Sequence, residues 1–200
     1  MGRAYTLEEK KQIKENLKKF AKEIFKEKGV KKARIEEITK AVGISLGGFY
    51  TFYKNKEELF LDIINDIEKE MFKKVIQEAK TTEDSIEEYF RKVTYIMCEK
   101  MNKNKIFIDK DSDVLKIINN SSEEDKKRAL EEDLFVIERI KSIWRERGCN
   151  IDTPAEKLLG VFRCITTIRS NSDMIGENVI DELTVHIIDK FVEVYITENR

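Results

Sequence analysis

Along the first third of the chain, apolar residues recur three and four positions apart. Ile13, Leu17, Phe20, Ala21 and Ile24 form one such series, and Ile35, Ile38, Ala41 and Val42 form a second. This spacing places each set on one face of a helix. Thr6-Leu7-Glu8-Glu9 is a capping box that opens the first helix, and Gly29 closes it. Gly43 ends the second, where a residue past a helix terminus needs a positive φ that glycine adopts cheaply. Ile44 then plugs the turn and Ser45 caps a further short helix, expected from Leu46 to Tyr53. Two helices joined by a glycine-containing turn of three or four residues make helix-turn-helix grammar, with the first helix as their brace.

The same periodicity continues. Asn55 and Glu58 form a second cap pattern, followed by Leu59, Phe60, Ile63, Ile64, Ile67, Met71 and Val75, which predict a helix of about six turns. A polar break at Thr81–Asp84 precedes Ile86, Tyr89, Phe90, Val93, Met97 and Met101, a helix expected to end near Asn104. Residues 105–122 are less regular, with a short helix from Val114 to Asn119. A long helix follows to Arg147, carrying Leu130, Leu134, Ile137 and Trp144 on one face, and Gly148 stops it. Thr153-Pro154-Ala155-Glu156 reads as capping threonine, first-turn proline and closing glutamate for a helix to about Ser170. A last helix runs from Val179 to about Thr197. No alternating strand pattern and no internal repeat interrupts this order. The expected fold is all-α, with about nine helices. A three-helix head at 1–56 is joined by a long helix to a helical body at 57–200.

The short helix after Ser45 is unusual for a structural element. Gly47 and Gly48 stand in its first turn, where each costs up to about 1 kcal/mol relative to alanine. Close approach of the backbone to a partner is the usual compensation. Phe49, Tyr50, Phe52 and Tyr53 crowd so short an element that some aromatic surface, with Thr51, is expected to face outward. The stretch GISLGGFYTFYKNKEELF resembles the DNA-binding signature of the TetR/AcrR family of bacterial transcriptional regulators. Gly43, Ser45, Gly47, Tyr50, Phe52, Tyr53 and Lys56 match that pattern, and the resemblance is specific over about residues 7–64. It departs at Arg34, where the family places a capping threonine or serine; an arginine there cannot cap but can reach a phosphate.

The resemblance implies a pair of recognition helices in successive major grooves of a pseudo-palindromic operator. In that arrangement Arg34, Ser45, Tyr50, Lys54 and Lys56 hold phosphates, while Leu46, Gly47, Gly48 and Thr51 face base edges. It also implies a ligand-responsive repressor, released from double-stranded DNA by a small hydrophobic or amphipathic effector. The alternative is a DNA-binding regulator of the same fold with no small ligand, controlled by a partner protein or acting architecturally.

Charge supports the head as the nucleic-acid module. The chain is near neutral overall, at −1, yet residues 1–56 hold 15 Lys and Arg against 7 Asp and Glu, and the remainder reverses the balance. A basic module on an acidic body is the asymmetry of a protein that docks on phosphates. Arg3 could serve as a basic arm ahead of the first helix. One proline, eight glycines and 38% charged residues suit a helical, non-membrane protein, and the N-terminus has no apolar leader, so a cytoplasmic location is expected.

In the body, the last two helices are apolar around more than one stripe, so one stripe needs a partner. Leu158, Ile165, Leu183, Ile187 and Phe191 are the candidate contacts of a homodimer built as a four-helix interface. Met97, Met101, Phe107, Phe135, Trp144 and Phe162, with Arg163 and Thr166 as polar groups, are the candidate effector pocket, although the same residues also suit a plain core. Catalytic chemistry finds little support. His186 is the single histidine, Cys98, Cys149 and Cys164 are unclustered, and no phosphate loop, nucleophile elbow or zinc pattern occurs. No metal or cofactor is expected.

Overall fold

A computed structural model describes residues 5–103, 113–170 and 175–196. Among these residues the only regular elements are helices: α1 (Leu7–Lys32), α2 (Ile35–Val42), α3 (Leu46–Phe49), α4 (Lys56–Thr81), α5 (Ile86–Lys103), α6 (Asp113–Asn119), α7 (Glu123–Glu146), α8 (Ala155–Ser170) and α9 (Glu177–Tyr195). No described helix is long and apolar enough to cross a membrane. By packing, the chain forms two compact units. The first comprises residues up to 69 together with the α6 stretch, and the second comprises Glu70 onward without it. The division falls inside α4.

The first unit follows from the helical periodicity. Leu17, Ala21 and Phe25 of α1, Ile38 of α2, Phe49 of α3 and Leu59, Phe60 and Ile63 of α4 make one core with almost no exposure. Each of the Leu, Ile and Phe side chains contributes roughly 1.5–3 kcal/mol on burial, so the core holds helices too short to persist alone. The Thr6 capping box is formed: Thr6 N–H donates to Glu9 Oε2 at 2.7 Å and Glu9 N–H to Thr6 Oγ1 at 3.2 Å. Gly29 leaves helical geometry at φ +76° where the first helix was expected to close, and a further turn carries α1 to Lys32. Ile117 of α6 packs against the same core.

In the second unit α5, α7, α8 and α9 surround Tyr89, Trp144, Ile143, Leu158 and Val192. The Tyr89 hydroxyl donates to the Val75 carbonyl at 3.0 Å. Two expectations change here. Thr153 does not cap α8: its hydroxyl donates to the Tyr195 carbonyl at 2.8 Å, tying the start of α8 to the end of α9. Of the apolar face expected on α7, Trp144 is buried but Leu130 is exposed, and the buried apolar positions are Val136, Ile140, Ile143 and Trp144. Ile137 of the expected face is half-buried and packs against the same core.

Candidate nucleic-acid interface

The interface is built on a helix that is shorter than its sequence suggests. α3 covers only Leu46–Phe49, a single turn, and not the stretch to Tyr53. Ser45 Oγ accepts the Gly48 N–H at 3.0 Å and starts the turn. Beyond Phe49 the bonds tighten to three-residue spacing, with Thr51 N–H to Gly48 O at 3.2 Å and Phe52 N–H to Phe49 O at 2.9 Å. Two glycines and two turn-favouring hydroxyl residues weaken the helix, and tertiary contacts, not propensity, hold the segment in place. Ahead of it Gly43 takes φ +81° and closes α2 through Gly43 N–H to Thr39 O at 2.9 Å.

The aromatic residues divide between inside and outside. Phe49 and Tyr53 are buried with ring centroids 6.0 Å apart, Phe52 is half-buried, and Tyr50 is 55% exposed. Arg34, Ser45, Leu46, Gly47, Thr51 and Lys54 are exposed as well. A Cβ added at Gly47 would meet nothing within 4 Å, whereas one at Gly48 would stand 3.3 Å from Ser45 Oγ and 3.5 Å from Tyr5 Oη. Gly47 therefore opens outward, and Gly48 is occupied by the protein's own cap and by Tyr5. This changes the expectation that both glycines face base edges.

Lys56 changes more. Its ammonium donates to the Lys31 carbonyl at 2.8 Å and the Ala33 carbonyl at 3.0 Å. These carbonyls end α1, where a cation also meets the negative end of the helix dipole. The expected phosphate ligand thus also joins α4 to α1, through two of its three N–H donors. Arg34 caps nothing with its side chain; Glu37 instead accepts the Arg34 N–H at 3.4 Å and pairs with Lys28 at 2.7 Å, and these bonds, Lys28 first, hold its carboxyl below the ordinary range.

Behind the turn, the Tyr53 hydroxyl donates to Asp62 Oδ2 at 2.7 Å, and Lys14 pairs with the same oxygen at 3.0 Å. Burial alone would push the Asp62 carboxyl up, but the Tyr53 hydroxyl and Lys14 outweigh it and hold it down. Lys18 bonds Asp66 one turn on. Asn55 Oδ1 accepts the Glu58 N–H at 2.8 Å and starts α4 as its sequence suggests.

Residues 19–63 match the family model described as bacterial regulatory proteins, tetR family. Over that stretch the chain is similar to the TetR family. An HTH-type transcriptional regulator of Bacillus subtilis (strain 168), YuxN, is 32% identical over 88 residues, 44% of this chain and only 30% of that relative's length. In fold, a TetR-family transcriptional regulator from Pectobacterium atrosepticum superposes with a TM-score of 0.70 at 15% identity, covering 98% of this chain and all of that one. The triclosan complex of SmeT, a repressor from Stenotrophomonas maltophilia, gives a TM-score of 0.56 at 16% identity over 94% of this chain and 93% of its own. The matched stretch contains α2 and α3, which form the helix-turn-helix of the first unit.

The candidates in the body separate. Met97, Trp144 and Phe162 meet in one core cluster, while Phe135 is 70% exposed and stands outside it. Arg163 is exposed and pairs with Asp133 at 2.8 Å, and Thr166 Oγ1 donates to the Arg163 carbonyl. Phe107, the Met101 side chain and Arg3 lie outside the described residues. Of the expected dimer contacts, Leu158, Ile165 and Phe191 are buried in the protomer's own core, because that face of α8 and α9 is the one that packs on α5 and α7. Leu183 is exposed and Ile187 half-buried, on the same face as exposed Val179 and Val194, while exposed Val185 lies on another face of the helix. His186 is exposed, with Nδ1 2.8 Å from the Glu182 carbonyl. Cys98 is buried, which pushes its thiol up to about 11. Tyr5 was not singled out from the sequence. Its one signal is a ring placed just ahead of a capping box.

Proposed function

We propose that this protein is a ligand-responsive repressor that binds a pseudo-palindromic operator as a homodimer. The observation that carries the DNA-contacting part is Gly47. It is a glycine with open space where its side chain would stand, on a one-turn helix whose outward neighbours are Leu46, Tyr50, Thr51 and Lys54. Backbone there can approach base edges closely, Leu46 and Thr51 offer apolar contact to thymine methyls, and Ser45, Tyr50, Lys54 and Arg34 are available to phosphates. The exposed stripe of α9 would join the two protomers. An effector that prefers one arrangement of α4 shifts the population of DNA-competent dimers by its difference in affinity for the two states. The SmeT–triclosan complex supports an apolar effector of this kind.

The test begins with selection of a duplex from a random library. A pseudo-palindrome should be enriched, and its affinity should fall steeply with salt through counterion release. Gly47→Ala should weaken that duplex while raising the melting temperature slightly, since alanine is the better helix former. Compounds that raise the melting temperature of the free protein should release the duplex. Enrichment of no duplex, or Gly47→Ala binding as tightly as wild type, would overturn the interface. Failure of every stabilising compound to release the duplex would favour the ligand-free alternative.

A further inference from the structure

The recognition turn has a support outside the helix-turn-helix. Tyr5 immediately precedes the Thr6 cap of α1, and the reciprocal Thr6–Glu9 bonds set the direction of the chain there. A residue in that position usually packs on the side chain five places on. Here that place is Lys10, which is exposed. The Tyr5 ring goes to Phe52 instead, with centroids 6.1 Å apart and planes tilted by 40°. Its hydroxyl reaches the recognition helix itself, 3.5 Å from where a Gly48 side chain would begin. Tyr5 thus lies against both ends of the Gly48–Phe52 segment, which is held locally by one side-chain cap, single four-residue bonds at Phe49 and Tyr53, and three-residue turns between them.

We propose that Tyr5 is a positioning residue for DNA recognition. Its ring holds the turn after α3 against the start of α1, so that Leu46, Gly47, Tyr50 and Thr51 keep a single presentation. A segment with two glycines and one helical turn has several backbone arrangements of similar energy. A fixed ring against Phe52 and the bare face of Gly48 selects among them. Gly48 is accordingly a glycine for the protein's own packing, with the cap oxygen of Ser45 on one side and Tyr5 on the other. The effect on operator binding rests on the DNA-binding reading of this face; the contact itself does not.

The experiment has one arm on the free protein and one with DNA. Amide hydrogen exchange without DNA should show Gly48, Phe52 and Tyr53 exchanging about tenfold faster in Tyr5→Ala, the scale expected when an aromatic contact is lost. Tyr5→Phe, which keeps the ring, should retain wild-type protection. With DNA, Tyr5→Ala should bind the selected duplex about tenfold more weakly while binding a random duplex of equal length as before, with the same dependence on salt, because no charge is removed. Leu7→Ala, at a neighbouring and almost fully exposed position, should change neither arm. Unchanged amide protection in Tyr5→Ala would overturn the proposal. So would equal losses on both duplexes, or a Tyr5→Phe variant as weak as Tyr5→Ala, which would make the hydroxyl a direct DNA contact. A wild-type protein that enriched no duplex would sink the DNA reading, while the exchange arm would still decide whether Tyr5 orders the turn.

Discussion

Lys56 illustrates how a single residue can keep its place in a motif and change its work. In the sequence it opens α4 at the point where a cation could hold a phosphate. In the fold its ammonium is shared by the Lys31 and Ala33 carbonyls, 2.8 and 3.0 Å away. Both carbonyls sit where α1 runs out of intrahelical donors, so the lysine satisfies groups that would otherwise need water. Lys56→Met keeps the stem and removes the charge. It should cost on the order of 1–2 kcal/mol of stability, as loss of hydrogen bonds from a charged donor does. Its salt dependence on operator DNA should match wild type. A slope lower by about one unit would return Lys56 to the phosphate contacts. Thermal melting and titration at several salt concentrations measure the two effects separately.

At the scale of elements, α3 and α4 are opposites. α3 is one turn that borrows its order from Ser45, the Phe49 core and Tyr5. α4 is 26 residues long and is secured at both ends. Asn55 caps its start. At its other end Arg147, just past α7, donates to the Ala79 carbonyl at 2.9 Å and the Thr82 carbonyl at 2.7 Å while its guanidinium lies 4.2 Å from the Trp144 ring centre. A planar cation can make this forked, stacked contact and an ammonium cannot. Arg147→Met should therefore loosen the last turn of α4 and lower stability by about 1–3 kcal/mol. Trp144 is the only tryptophan of the chain, so its emission reports the loss of the stacked cation directly. Arg147→Lys should recover little of either signal. A melting temperature and an emission spectrum unchanged in Arg147→Met would remove the clamp from the account.

For the whole molecule, the apolar surplus of the last two helices is divided by packing. Leu158, Ile165 and Phe191 are spent inside the protomer, and Val179, Leu183, Val185 and Val194 remain on the outside of α9. A glutamate at an outer position would be buried unpaired in a dimer, which costs several kcal/mol. Leu183→Glu should yield a folded monomer with greatly weakened operator binding, whereas Phe191→Glu should damage the fold itself. Sedimentation velocity separates these outcomes. A wild-type monomer at micromolar concentration would remove α9 as the joining face.

The sequence by itself determined what depends on neighbours along the chain. Helix order, the Thr6 and Asn55 caps and the positive-φ glycine at 43 are all local, because hydrophobic period and cap chemistry act within a few residues. The resemblance of the head to the TetR family was legible for the same reason, since its motif is contiguous. Tertiary structure decided what depends on partners distant in the chain. Thr153 had a cap sequence, but a carbonyl 42 residues away took its hydroxyl. Lys56 turned to carbonyls 23 and 25 residues back. α3 stopped at Phe49 because two glycines left its length to packing, and Tyr5 acquired a part through a ring 47 positions on. A helical period says that a face is apolar; which apolar residues meet the protomer's core and which remain for a partner is settled only when the helices pack.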